Sequence, residues 1–213
     1  MTKITSFLAI VGLSYLSLIA QADHTPPTSV GNHVYPNGLV IPDAIAVNLQ
    51  HNKFAFSLCA LATVDFQCNA SSHSWGFVGP VGVLANECKD LEYAVDNPKF
   101  ITAVSLDDIQ TSNDLVIHSA GFRSALLPGD TSTSLFTVEA AAPAPNPSVD
   151  SDWVRSKAFN QTGVGAFSDV TYLQLVYTKG GLTPPASQCG TTFPDKYVYP
   201  SRFSGTLLFY KAK

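Results

Sequence analysis

The chain has 213 residues, room for one compact domain or two small ones, and 46% of them are hydrophobic, enough to build a core. Charged residues make up 13%, about half the ~25% of an ordinary soluble domain, and 12 Lys and Arg against 16 Asp and Glu leave a net charge of −4. The basic residues form no cluster, which argues against a nucleic-acid partner. The 14 Gly and 14 Pro, beside a single Met and plentiful Thr, Ser, Val and aromatic residues, favour strands and turns over helices.

The chain opens on Met1-Thr2-Lys3, an apolar stretch from Ile4 to Ala20, and then Ala20-Gln21-Ala22, which places small residues where a signal peptidase reads them. This pattern predicts a secretory signal peptide over residues 1–22, cleaved before Asp23. An uncleaved anchor is the competing reading, but Gly12, Ser14 and Ser17 interrupt an apolar run that falls short of the ~20 residues of a span. No later segment reads as a membrane span, and Phe209-Tyr210-Lys211-Ala212-Lys213 lacks the hydrophobic tail of a GPI signal. The expected product is a secreted, extracellular protein.

Residues 23–43 are polar and turn-rich (Pro26-Pro27, Gly31-Asn32, Pro36-Asn37-Gly38) and read as an extended, flexible N-terminal arm. From residue 44 to 213, short apolar and β-branched runs alternate with Gly, Pro, Asn and Asp at intervals of ~8–12 residues. The strands predicted are Ala44–Leu49, Phe54–Val64, Gly76–Leu84, Phe100–Ser105, Leu115–Ser119, Ser134–Glu139, Asp152–Phe159, Val170–Thr178 and Phe203–Tyr210. Only Leu84–Val95 has room for a turn or two of helix, limited by Pro98. The proline-rich run Ala140–Pro147 reads as an extended loop across a sheet. The fold expected is all-β, a single antiparallel β-sandwich or closed barrel, with Trp153, Tyr172, Leu173, Val176 and Phe209 in its core.

Two sequons fall in that domain, at Asn69 (Asn69-Ala70-Ser71) and Asn160 (Asn160-Gln161-Thr162), whereas Pro147 blocks Asn146. Its four cysteines, Cys59, Cys68, Cys88 and Cys189, suit two disulfides in an oxidising compartment, and no Cys-x2-Cys pair points to zinc. Three connectivities are open. Closure of a short local loop favours Cys68 with Cys88, which leaves Cys59 with Cys189.

The residues that carry chemistry elsewhere are weakly placed here. Gly163-Val164-Gly165-Ala166-Phe167-Ser168 half matches a dinucleotide fingerprint, but its third glycine is a serine and no helix follows. It reads as a β-turn whose N–H groups serve sheet pairing. His24, His33, His51, His73 and His118 are scattered, and His24 stands second after the expected cleavage, not first. Asp107-Asp108 and Asn113-Asp114 lack the glycine and closing glutamate of an EF-hand and read as a solvated loop. Trp75 and Trp153 suit either sugar stacking or core packing. No catalytic, cofactor or metal site is expected.

The second half carries a family likeness. Asp152-Trp153-Val154, then Gly165-Ala166-Phe167-Ser168-Asp169-Val170-Thr171-Tyr172-Leu173-Gln174, then Thr178-Lys179-Gly180-Gly181-Leu182-Thr183-Pro184-Pro185-Ala186-Ser187-Gln188-Cys189 resemble the tail of the domain of unknown function 3455 family. Phe66-Gln67-Cys68-Asn69 and Ala142-Pro143-Ala144-Pro145 are similar to its upstream segments, and His118 falls near its short His-aromatic segment. Leu175 departs from the family, standing where an arginine is usual, as does Tyr199-Pro200-Ser201-Arg202 before the last strand. The resemblance implies a secreted protein without established activity, and no catalytic residues come with it. Some members carry a malate dehydrogenase label, which the absence of a βαβ unit here contradicts.

The functional expectation is a non-enzymatic extracellular protein that binds carbohydrate or protein at a cell wall, matrix or host surface. The alternative is a secreted hydrolase or metal-dependent enzyme whose site assembles only in three dimensions. Convergent carboxylates or histidines in a pocket would mark the enzyme, and an exposed aromatic or apolar surface the binder.

Overall fold

The computed structural model describes residues 26–106, 119–124 and 128–213. The expected signal peptide, His24, Asp107, Asp108, Asn113, Asp114 and His118 lie outside the described residues. Eight strands, β1 (Asn52–Asn69), β2 (Ser74–Ala85), β3 (Ala103–Ser105), β4 (Ser119–Ser124), β5 (Thr133–Ala142), β6 (Trp153–Thr162), β7 (Val170–Gly180) and β8 (Val198–Ala212), follow one another around a closed barrel. Every neighbouring pair is antiparallel, and β8 closes on β1. Between β2 and β3 the chain leaves the wall to form a short helix, α1 (Leu91–Asp96). The architecture is thus the all-β fold that the turn spacing predicts, in its closed form.

An eight-stranded barrel is just wide enough for side chains to fill. Alternation along the strands sends Phe56, Leu58 and Ala60 of β1, Phe122 of β4, Phe136 of β5, Leu173 of β7, and Leu207 and Phe209 of β8 into one buried cluster. Phe209 is its centre. Its ring stacks on Phe56 at 4.7 Å and meets Phe167 edge-on at 5.3 Å, with Phe122 and Phe136 at 6.0 and 6.1 Å. Such aromatic pairs are worth ~0.5–1.5 kcal/mol each beyond the area they bury. The lumen at this level is a packed core, so a site for a ligand has to be built on the outside or at the rim.

The outer wall has a core of its own. Ile45 and Val47 are buried with Ala142, Ala144, Trp153, Val176, Leu208 and Tyr210, with Leu39, Ile41 and Tyr172 packed around them. The strand predicted over Ala44–Leu49 is instead a 3-10 turn at Asp43–Ile45 followed by the turn that enters β1. Its alternating apolar residues face the barrel wall without pairing as a strand. Asn48 makes the second turn, its side chain accepting from the Gln50 N–H at 2.8 Å. The segment before it, described from residue 26, is fastened as well: Val30 is buried, and Asn32 exchanges backbone hydrogen bonds with Ser57 at 2.9 and 2.8 Å. Gly31 is held at φ +86°, and a Cβ there would run into the Phe56 ring.

Both disulfides form, but not in the pairing favoured by loop length. Cys59 is bonded to Cys88 and Cys68 to Cys189, with Cα atoms 5.0 and 5.4 Å apart. Strand register explains the correction. Cys59 lies opposite Ala85, three residues before Cys88, whereas Cys68 lies opposite Trp75 at the far end of the same hairpin. At ~3.3 Å per residue, nine residues of strand separate the two positions by ~30 Å.

Candidate functional site

A groove of about 480 Å³ runs along the outside of the barrel between α1 and β7. Leu61, Ser204, Gly205 and Thr206 line it between two raised walls. The register sets Leu61 of β1 opposite Ser204 of β8, and Cys59 opposite Thr206. One wall comes from the excursion after β2, where the Cys59–Cys88 bond and the burial of Leu91 against Cys59 and Ala85 hold α1 to the sheet. That wall contributes Cys88, Leu91 and Glu92.

Tyr177 forms the opposite wall. It is 43% exposed and sits in β7 at a break in register between Val176 and Lys179, with φ +52°. A left-handed backbone is uncommon for a bulky residue and costs on the order of 1–3 kcal/mol. Its neighbours hold it there. Val176 is fully buried, and the Thr178 hydroxyl donates to the Ser151 carbonyl at 2.5 Å. The Trp153 ring stands edge-on to Tyr177 at 5.6 Å. Next along the chain, Asp150 accepts from the Gly180 N–H at 3.0 Å and from Lys179 at 3.1 Å. The Gly180 hydrogen bond, opposed by burial and aided by Lys179, holds the Asp150 carboxyl below its usual value.

A second aromatic group covers the opposite end of β1. Trp75 meets Phe193 at 5.6 Å and Tyr199 at 6.0 Å, and Phe193 stacks on Tyr197 at 4.7 Å. The Cys68–Cys189 bond ties the segment before β8, which carries Phe193 and Tyr197, to the tip of β1. Trp75 itself is half-buried, its indole N–H donating to the Pro185 carbonyl at 3.2 Å, while Trp153 is buried in the outer core.

The Gly163–Ser168 segment is the turn between β6 and β7, as expected, but its N–H groups do not serve sheet pairing. The Ala166 N–H donates to Asp130 Oδ2 at 3.0 Å, Phe167 N–H to Ser132 Oγ at 3.0 Å, and Val164 N–H to Thr131 Oγ1 at 3.2 Å. This loop folds back onto residues 130–132 and inserts Phe167 into the barrel, where it is fully buried. Burial pushes the Asp130 carboxyl up, but hydrogen bonds from the Ser132 hydroxyl and N–H and the Ala166 N–H outweigh it and bring it below the usual range.

Among the described residues, the histidines do not converge. His33 Nδ1 pairs with the Ala55 carbonyl and His73 Nδ1 with the Cys189 carbonyl, both at 2.8 Å. Among the described residues, no three His, Cys, Asp or Glu side chains come together as a metal site. No helix among them is long and apolar enough to cross a membrane. Both sequon asparagines, Asn69 and Asn160, are exposed.

A family model described as "Protein of unknown function (DUF3455)" matches residues 49–211. The chain belongs to the DUF3455 family. No curated protein and no solved structure matches it. The segments of this DUF3455 protein that carry the likeness are structural ones. Trp153 is an outer-core residue, Phe167 plugs the barrel, and Cys189 anchors the segment before β8. Leu175 packs against the interior cluster. Among the described residues there is no Rossmann architecture: α1 is six residues long and joins antiparallel neighbours. The groove residues, Leu61, Leu91, Glu92, Tyr177, Ser204 and Thr206, belong to none of the motifs the sequence displays. They come from four separate segments, and the one local sign, a tyrosine among β-branched residues at Val176-Tyr177-Thr178, is what any strand shows.

Proposed function

We propose that this DUF3455 protein is a secreted, non-enzymatic protein that binds carbohydrate at a cell wall, matrix or host surface through the groove beside Tyr177. The observation that carries this reading is the pairing of an exposed aromatic wall, kept in a strained backbone conformation, with the small hydroxyl residues Ser204 and Thr206. Sugars present apolar C–H faces and hydroxyl rims, and an aromatic ring beside short hydroxyl side chains matches both. Strain held at an exposed position suits a ligand clamp. Binding is favoured over hydrolysis because, among the described residues, Glu92 is the single carboxylate lining the groove, where glycoside hydrolysis uses two flanking one bond.

Secretion rests on the leader-like residues 1–22, and the two disulfides and exposed sequons suit an oxidising, glycosylating route. The test is to recover the protein from the medium of an expressing eukaryotic host and co-sediment it with insoluble wall polysaccharides. N-terminal sequencing should begin at Asp23, and deglycosylation should lower the mass at Asn69, Asn160 or both. Retention inside the cell with residues 1–22 intact would refute secretion, and no sedimentation above a casein control would refute carbohydrate binding.

A further inference from the structure

Resting on that reading, we infer that the Tyr177 groove selects a neutral pyranose unit and rejects uronate and sulfated chains. The lining supplies the argument. An acidic sugar has to be met by an ammonium, a guanidinium or a set of directed N–H groups, because its charge loses hydration on entry. None of the eight lining residues, Leu61, Cys88, Leu91, Glu92, Tyr177, Ser204, Gly205 and Thr206, is basic. Among the described lining residues the one charge is the carboxylate of Glu92, which repels an anion and accepts hydrogen bonds from sugar hydroxyls.

The basic residues nearest in the chain, Lys89, Lys179 and Arg202, are not lining residues, although Lys89 directly follows Cys88 on the α1 wall and is exposed, with Asp90 next to it. Lys179, two residues after Tyr177, is engaged by the buried Asp150. Arg202 lies two residues before Ser204 on β8, opposite Thr63 and beyond the lining. The net charge of −4 adds a weak, longer-range bias against polyanions.

The floor fixes the size of the ligand. Ser204, Gly205 and Thr206 are small, so the depth of the groove depends on the height of Tyr177 on one side and Leu91 with Glu92 on the other. About 480 Å³, open along the barrel, accommodates one or two sugar rings of a longer chain. A ring laid against Tyr177 presents its hydroxyl edge toward Ser204, Thr206 and Glu92, which supply both donors and acceptors.

The experiment is calorimetric titration of the disulfide-intact protein with two sets of soluble probes: neutral β-glucan, xylan and chitin oligosaccharides, and oligogalacturonate with a sulfated oligosaccharide. Binding of at least one neutral probe is expected, with the acidic probes roughly tenfold or more weaker, equivalent to ~1.4 kcal/mol. Tyr177→Phe should retain the neutral ligand. Tyr177→Gly, which accepts the left-handed backbone, should lose it by roughly tenfold or more while its far-UV circular dichroism stays wild-type. Glu92→Gln should narrow the difference between neutral and acidic probes. Tighter binding of an acidic probe, lost in Arg202→Ala, would overturn the selectivity and leave the binding reading standing. Neutral binding indifferent to Tyr177→Gly would overturn the groove as the site. Failure of every saccharide to bind would overturn carbohydrate recognition and the selectivity together.

Discussion

The Tyr210 hydroxyl donates to Gln174 Oε1 at 2.5 Å, and both residues are almost wholly buried on the outside of the barrel. Gln174 passes the connection on, its Nε2 donating to the Ile45 carbonyl at 2.6 Å. This chain of two hydrogen bonds fastens the segment before β1 to β7 and β8 through groups that have no water to fall back on. Burial, with Tyr35 nearby, pushes the Tyr210 hydroxyl well above its usual pKa, so it remains a donor at any ordinary pH. Gln174→Ala should therefore cost ~2–4 kcal/mol, because it orphans the Tyr210 hydroxyl and the Ile45 carbonyl together. Urea unfolding of the variant should show the lower midpoint, and limited proteolysis should cut first before β1. An unchanged midpoint would mean that this network contributes nothing net.

The disulfides divide the molecule in a way that peptide mapping can check. Non-reducing digests should yield Cys59 linked to Cys88 and Cys68 linked to Cys189, with sequence separations of 29 and 121 residues. On the loop-entropy account, removing the shorter tie costs about 3.5 kcal/mol and the longer about 5 kcal/mol. Cys68→Ser with Cys189→Ser should be the more destabilising pair by that measure. Cys59→Ser with Cys88→Ser has a second signature, since it frees α1 and should weaken any ligand held in the Tyr177 groove.

The barrel was legible in the sequence because its strands obey a simple period. Tyr172 to Val176 and Phe203 to Tyr210 alternate between the packed interior and the outer core, and both alternations are visible as letters. Ile45 and Val47 show the same spacing and misled for a physical reason. A segment lying on a pleated wall buries every second residue whether or not it joins the ladder. The cysteine pairing was not legible, because it depends on which residue of β2 lies opposite Cys59, and register is set by the whole hairpin. Tyr177 was not legible either. Nothing in its neighbours announces a left-handed tyrosine, and the groove exists only where β1, α1, β7 and β8 meet.

Acid should loosen the barrel at the Phe167 plug. Burial raises the Asp130 carboxyl, but hydrogen bonds from Ser132 and the Ala166 N–H outweigh it and depress it in the folded protein. The unfolded chain then binds more protons than the folded one as pH falls below about 4, so the carboxylate's stabilisation is present above that point and lost through the depressed folded value. Asp150, depressed through its hydrogen bond from Gly180, adds to the same slope. Thermal midpoints recorded from pH 7 down to about 2 should fall steeply below about 4. Asp130→Asn should start lower at neutral pH and show a shallower acid limb. A parallel decline in both proteins would remove Asp130 from the cause.

Gly165 supplies the sharpest separation between a structural turn and a cofactor loop. Its φ is +148°, and a Cβ built there would collide with the Asp130 carboxylate, the group that receives the Ala166 N–H. Gly163, at φ +73°, would meet the Thr131 carbonyl in the same way. Gly165→Ala should thus displace Asp130, withdraw Phe167 from the interior and cost ~2–4 kcal/mol, through strain in a region L-residues avoid and loss of a half-buried carboxylate's partners. A dinucleotide loop needs those N–H groups free to meet phosphate at a helix N-terminus, whereas here side chains of residues 130–132 already occupy them. Purified protein mixed with malate and NAD should therefore yield no reduced nicotinamide above background. Adding NAD should leave the thermal midpoint of both wild type and Gly165→Ala unmoved, although the variant's midpoint is lower. A cofactor-induced rise in the wild-type midpoint, lost in Gly165→Ala, would show that the turn opens to phosphate.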